Sequence, residues 1–151
     1  MGKLKKLTHV DARGRARMVN VGAKPDQLRR AVAQGFVRCS RATIRLLKRQ
    51  ALPKGDVLTV AQIAGIQAAK QTSHLIPLCH ALPLTGVDVS FRITATGVGL
   101  EATVECRGKT GVEMEALTAV SVAALAIYDM CKAVDSSLVI EKIRLVSKVK
   151  Q

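Results

Sequence analysis

The chain has 151 residues, 48% hydrophobic and 23% charged, enough for one domain with a real core. Twenty-four basic residues against 11 acidic ones leave a formal charge of +13, which points to an anionic partner such as nucleic acid, an anionic membrane or a phosphorylated metabolite. Phe36, Phe91 and Tyr128 are too few aromatics for a protein that stacks single-stranded bases, and charges interrupt every apolar run before the ~18 residues of a membrane span.

Residues 1–25 are polar and basic and read as an arm, with a turn at Asp11-Ala12-Arg13-Gly14. The opening MGKLKKLTHV has no long apolar region, so a secretory signal is not expected. Four widely spaced cysteines without a CxxC (Cys39, Cys79, Cys106 and Cys131) point to reduced thiols in a cytoplasmic protein. Residues 26–151 show no repeat and no shift in composition, and are expected to form a single domain.

RRAVAQGFVR, Arg29 to Arg38, alternates like a strand but also permits a helix from Pro25. A short helix from Arg41 to Gln50 follows Ser40 as N-cap. After the turn Leu52-Pro53-Lys54-Gly55-Asp56, a helix capped by Asp56 runs from Val57 to Leu75, with Val57, Val60, Ala61, Ala64 and Ala68 as its apolar stripe. Its alanines and Gly65 make it thin enough to pack closely, and Ile76-Pro77 stops it. Thr85–Thr94 and Val98–Arg107 both alternate and are joined tightly through Ala95-Thr96-Gly97, as in a β-hairpin. A long helix, Val112 to Val134, follows, and then a strand with imperfect alternation and room for a bulge, Leu138 to Val146. This order is that of an α+β, ferredoxin-like βαββαβ sandwich, a four-stranded antiparallel sheet with helices on one face.

The long helix holds most of the chemistry. Ala116 to Tyr128 carries no charge, whereas Glu113 and Glu115 stand at its start and Asp129 and Lys132 at its end. Asp129 and Lys132 share a helix face as a surface ion pair or as a proton-transfer pair. Glu115 and Asp129 lie about 21 Å apart along the axis, too far for one small substrate in one chain. Gly108-Lys109-Thr110 is not a phosphate-binding loop, because the first glycine of that motif is replaced by Thr103. Cys79 and His80 are adjacent and so poorly placed to chelate one ion, and no metal is assigned to them.

GKTGVEMEALTAVSVAALAIYDMCKAV, KGDV at Lys54–Val57, AQIAGIQAAKQTSHLIPLCH at Ala61–His80 and the opening LTHVDARGRARMVNV together resemble the molybdenum-cofactor biosynthesis protein C family, the cyclic pyranopterin monophosphate synthases. The resemblance covers Leu7 to about Ser147. It implies a ferredoxin-like subunit in a homohexamer, a trimer of dimers with active sites at a subunit interface. It also implies a lyase that converts 3',8-cyclo-7,8-dihydroguanosine 5'-triphosphate to cyclic pyranopterin monophosphate and pyrophosphate. No cofactor is implied, and neither nucleic acid nor membrane is an expected partner; the sequence assigns no metal ligands and leaves open whether magnesium accompanies the triphosphate.

Carried over by motif, Asp129, Lys132 and Lys54 match catalytic positions. Leu78, Cys79, His80, Glu113, Met114 and Glu115 match substrate contacts, and Arg29 and Lys70 match basic positions assigned to phosphate. The chemistry suggests a lysine held near neutrality for proton transfer. Ala81 stands where the family commonly has proline, which leaves the loop looser. The sequence ends at Ser147-Lys148-Val149-Lys150-Gln151, whereas many relatives continue into a flexible glycine- and lysine-bearing tail; if that tail closes on substrate, this chain either lacks part of it or uses Lys148 or Lys150 instead.

Overall fold

A computed structural model describes residues 8–151. The ambiguous stretch is a strand, β1 (Gln27–Arg38), whose Ala31, Ala33 and Val37 are buried on one face. Helix α1 (Arg41–Lys48) begins at Ser40, whose Oγ accepts from the Thr43 amide at 3.2 Å. Helix α2 (Val57–Leu75) begins at Asp56, which accepts from the Thr59 amide at 3.1 Å and the Thr59 hydroxyl at 2.6 Å. Strands β2 (Leu84–Ile93) and β3 (Gly97–Gly108) form the expected hairpin, followed by α3 (Glu113–Cys131) and β4 (Val139–Lys150).

The strands lie in the order β2-β3-β1-β4, every neighbouring pair antiparallel, and with the three helices they make the α+β ferredoxin-like fold read from the sequence. The core lies between the sheet and the α2–α3 pair. Ala116, Ala119, Val120, Ala123 and Ile127 of α3 are fully buried beside Val98, Ala102 and Val104 of β3. Small residues set the spacing. A Cβ on Gly65 would meet the Ala119 carbonyl oxygen at 3.0 Å and Val89 Cγ2 at 3.2 Å, so glycine lets α2 touch α3 and β2 at once. Gly35 does the same in β1, where a Cβ would meet Val120 of α3 at 2.7 Å.

Three expectations need correction. Val60 is 44% exposed, not buried. At about 100° per residue it lies roughly 100° from the centre of the buried Val57–Ala61–Gly65–Ala68–Thr72 face. The last strand runs to Lys150 instead of ending at Val146, and Gln151 still exchanges backbone hydrogen bonds with Leu28 at 2.8 and 3.0 Å. Register shifts leave Lys142, Ile143 and Val146 without β1 partners, which interrupts the alternation and makes the strand look short in sequence. Ser147–Lys150 is therefore part of the sheet. Finally, α3 is long and apolar enough by length and composition to cross a membrane, despite its charged ends. It packs here as the central helix of the core, which explains that composition.

Candidate active site

At the head of α3 the structure gathers six of the residues singled out in the sequence. Pro77 ends α2, and the loop after it brings Leu78, Cys79 and His80 against Glu113, Met114 and Glu115 of the first turn of α3. Together they line a cavity of about 510 Å³. Carboxylates in the first turn are favoured by the helix dipole, which helps explain why both are accommodated there.

The two glutamates differ in state. Burial pushes the Glu115 carboxyl up (the side chain is 4% exposed), its own backbone amide opposes this, and the nearby Glu113 charge adds to the rise. Glu113 is also desolvated, but its own backbone amide, Lys148 at 3.0 Å and Arg29 outweigh burial and lower its pKa. Burial, then Glu115, raises the Cys79 thiol, which keeps it protonated and argues against a nucleophile. His80 Nε2 lies 2.7 Å from the Val19 carbonyl oxygen, and because that oxygen only accepts, Nε2 carries a proton.

At the foot of α3 a second group forms. Asp129 accepts from Lys132 Nζ at 2.7 Å through one carboxylate oxygen and from Lys54 Nζ at 2.9 Å through the other. Lys54 also donates to the Asp129 backbone carbonyl at 3.1 Å, so the loop before α2 is fastened to the end of α3. The hydrogen bonds from Lys132 and Lys54, reinforced by their charges, lower the Asp129 pKa to about 2. Asp129 in turn raises that of Lys132. That is the reverse of the lysine held near neutrality that the chemistry suggests, because in a single chain the cluster is open to water and its slight desolvation does not offset the Asp129 carboxylate.

The remaining two candidates lie beside the cavity rather than in it. Arg29 donates to the carbonyls of Gly108 at 3.2 Å and Lys109 at 3.3 Å, and lines an adjoining cleft with Glu113, Lys148 and Lys150. Lys70 borders a shallow cleft on the other side, which shares Leu82 with the cavity. Among the described residues no three His, Cys, Asp or Glu side chains converge as metal ligands.

Two features were missed by sequence reasoning. The arm supplies part of the cavity wall through His9, Val19, Val21 and Lys24; the resemblance of LTHVDARGRARMVNV was the one signal for it. Asp135, just beyond α3, is buried and accepts from Ser40 N at 2.8 Å, Thr43 Oγ1 at 2.9 Å and Ser137 Oγ at 2.6 Å. Burial favours its neutral form, but the bonds from Ser137, Ser40 and Thr43 prevail and hold the carboxyl well below its usual range. Asp135 thus pins the segment after Lys132 to the start of α1. Nothing in its spacing marked it.

A model of the MoaC family matches residues 18–150, nearly all of the chain. A cyclic pyranopterin monophosphate synthase of Roseiflexus sp. is 61% identical over 144 residues, 94% of this chain and 91% of its own length. Proteins of the same name from Chloroflexus aggregans and Desulfitobacterium hafniense are each 56% identical, covering 97% and 94% of this chain and 90% and 88% of their own lengths. The motifs that line the cavity and form the Asp129 cluster lie within these matches, and the chain belongs to the MoaC family, enzymes of molybdenum-cofactor biosynthesis.

Proposed function

We propose that the chain converts 3',8-cyclo-7,8-dihydroguanosine 5'-triphosphate to cyclic pyranopterin monophosphate with release of pyrophosphate, at sites shared between two subunits. The carrying observation is the division of α3. One end holds the cavity with Glu113 and Glu115, and the other holds Asp129 between two lysines, about 21 Å away.

An apolar stripe on the outer side of α3 supports the pairing of two copies. Met114, Leu125 (57% exposed) and Tyr128 fall on one helix face, and Lys132 follows on the same face. Exposed apolar side chains along a core helix mark a surface to be covered. Two copies packed with these helices antiparallel bring the cavity of each beside the Asp129 cluster of the other. We assign this arrangement to the dimers of a cytoplasmic homohexamer, with four free cysteines suited to a reducing compartment.

In this reading the purine-derived ring lies toward Glu115, which accepts from its N–H groups, and Cys79, Met114 and His80 bound the ring. Asp129, Lys132 and Lys54 move protons during rearrangement of the ring. A second subunit that covers the cluster strips water from the Lys132 ammonium and so opposes the rise that Asp129 causes. Formation of the cyclic phosphate joins a substrate hydroxyl to the α-phosphorus and breaks the bond to the β-phosphate. The hydroxyl proton goes to a base, and the departing pyrophosphate needs cations, a role we assign to Arg29 and Lys148 of the adjoining cleft and to the lysines of the facing subunit. Lys70 lies farther out and belongs to the approach of the phosphates.

Incubation of the assembled protein with the cyclic dihydroguanosine triphosphate tests this reading. Pterin and pyrophosphate are expected to appear in equal amounts. No product from correctly assembled protein contradicts it.

A further inference from the structure

Asp135 is a buried carboxylate that the proposed reaction does not use. Its Oδ2 accepts from the Ser40 amide at 2.8 Å and from Thr43 Oγ1 at 2.9 Å. Its Oδ1 accepts from the Ser137 amide at 2.9 Å and from Ser137 Oγ at 2.6 Å. Because the Thr43 hydroxyl donates to Asp135, Ser40 Oγ, 3.0 Å away, donates to Thr43 in turn. Thr43 is fully buried, and a satisfied buried network of this kind holds its members rigidly.

This node lies between the two lysines that grip Asp129. On one side the chain runs back three residues to Lys132. The Val134 and Asp135 amides both donate to the Cys131 carbonyl, at 3.0 and 3.1 Å, and the Lys132 amide donates to the Tyr128 carbonyl at 2.9 Å. Lys132 therefore sits in a wound turn between α3 and Asp135. On the other side α1 leads from Thr43 to Lys54. Ile44 and Leu47 bury that helix, and the Ala51 amide donates to the Leu46 carbonyl at 3.0 Å. Leu52 is buried, and the Gly55 amide donates to its carbonyl at 3.0 Å, closing the turn that carries Lys54. The side chains of Asp129, Lys132 and Lys54 are all about half exposed, so packing does little to hold them. Their spacing is set by the backbones beneath them.

We infer that Asp135 is a positioning residue for this cluster. One buried carboxylate fixes the end of α3 to the start of α1, and thereby holds Lys132 and Lys54 on Asp129. This rests on the proposed part of Asp129 and its lysines in proton transfer. Asp135 acts through the backbone on either side of it, and a displacement of about 1 Å at reacting groups costs up to about 100-fold in rate.

Four proteins test this: wild type, Asp135→Ala, Asp135→Asn and Val89→Ala, each checked for unchanged oligomer mass. Val89 is a buried residue of β2, and its truncation opens a cavity in the core. Asp135→Ala is expected to lower kcat about tenfold or more with KM within about twofold. Carbon NMR of the Asp129 carboxyl is expected to show its pKa rise from about 2 toward the ordinary 3.8 as the lysines let go. Asp135→Asn, whose amide oxygen still accepts from Ser40 and Thr43, is expected to recover most of both. Val89→Ala is expected to lose stability and keep both. A kcat for Asp135→Ala no lower than that of Val89→Ala overturns the inference, as does an unchanged Asp129 pKa. The titration needs no turnover, so it decides the inference even where wild type makes no product, an outcome that counts against the proposed reaction alone. Should Asp135→Ala fail to fold, Thr43→Val removes a single donor and is expected to move both readouts less, in the same direction. No movement in either then overturns the inference.

Discussion

Asp129 touches two lysines that arrive from different parts of the chain, and its charge is secure. With its pKa lowered to about 2 by Lys132 and Lys54, it remains a carboxylate down to that pH, whereas an unfolded chain protonates it near 3.8. Lys132→Ala and Asp129→Ala are each expected to lower kcat by about 10²–10⁴-fold while the oligomer mass stays unchanged; steady-state kinetics checks this, and near-normal rates contradict their roles. Glu115 runs the other way. Burial raises its folded pKa above the ordinary value of 4.5, so stability from this group falls as pH rises through the folded value. Glu115→Gln is therefore expected to melt a few degrees higher than wild type at pH 7, to lose that advantage below pH 4.5, and to turn over substrate poorly. Melting curves at the two pH values check the sign. Asp129–Lys132 was legible because three residues of helix fix their distance. Lys54 was not, since 75 residues separate it from Asp129 and only the family motif pointed to it. Asp135 gave no signal, because a single acid among serines reads as a turn until Ser40 and Thr43 are seen to fold back onto it.

At the scale of elements, the hairpin and the helix starts were plain in the sequence because local chemistry fixes them. Alternation specifies β2 and β3, and Ser40 and Asp56 mark the first turns of α1 and α2. The extent of β4 was hidden, since its bulges and the left-handed Lys142, with φ 58°, shift the pattern partway along. Strand β1 could not be told from a helix by local pattern, because its small residues are chosen for what packs over them. Gly65 carries the same lesson in α2. A larger side chain there strikes the Ala119 carbonyl and Val89, and the backbone oxygen cannot turn aside. Gly65→Val is expected to cost about 3 kcal/mol by overpacking, read as a lower denaturant midpoint with unchanged slope. The wall formed by residues 8–24 was equally hidden, for a polar, basic arm gives no period from which its course can be read.

At the scale of the molecule, the +13 charge suits a phosphorylated substrate, although the site uses only part of it. The composition of α3 answers to two demands at once, a buried face against the sheet and an outer stripe that ends in Leu125 and Tyr128. Leu125→Glu is expected to leave the subunit folded by circular dichroism, to reduce the sedimenting mass, and to abolish turnover together with assembly. Retained assembly with that carboxylate on the stripe removes this face from the interface.

The shared site is tested most directly by complementation. Glu115→Ala and Asp129→Ala spoil opposite ends of α3, and each alone is expected to be inactive. In a mixed pair of subunits, one site receives both substitutions and the other receives neither. Random pairing after co-expression leaves about half of the pairs mixed, so the whole population regains about a quarter of wild-type turnover and purified mixed pairs about a half. Mixed oligomers as inactive as their parents would contradict a site built from two chains.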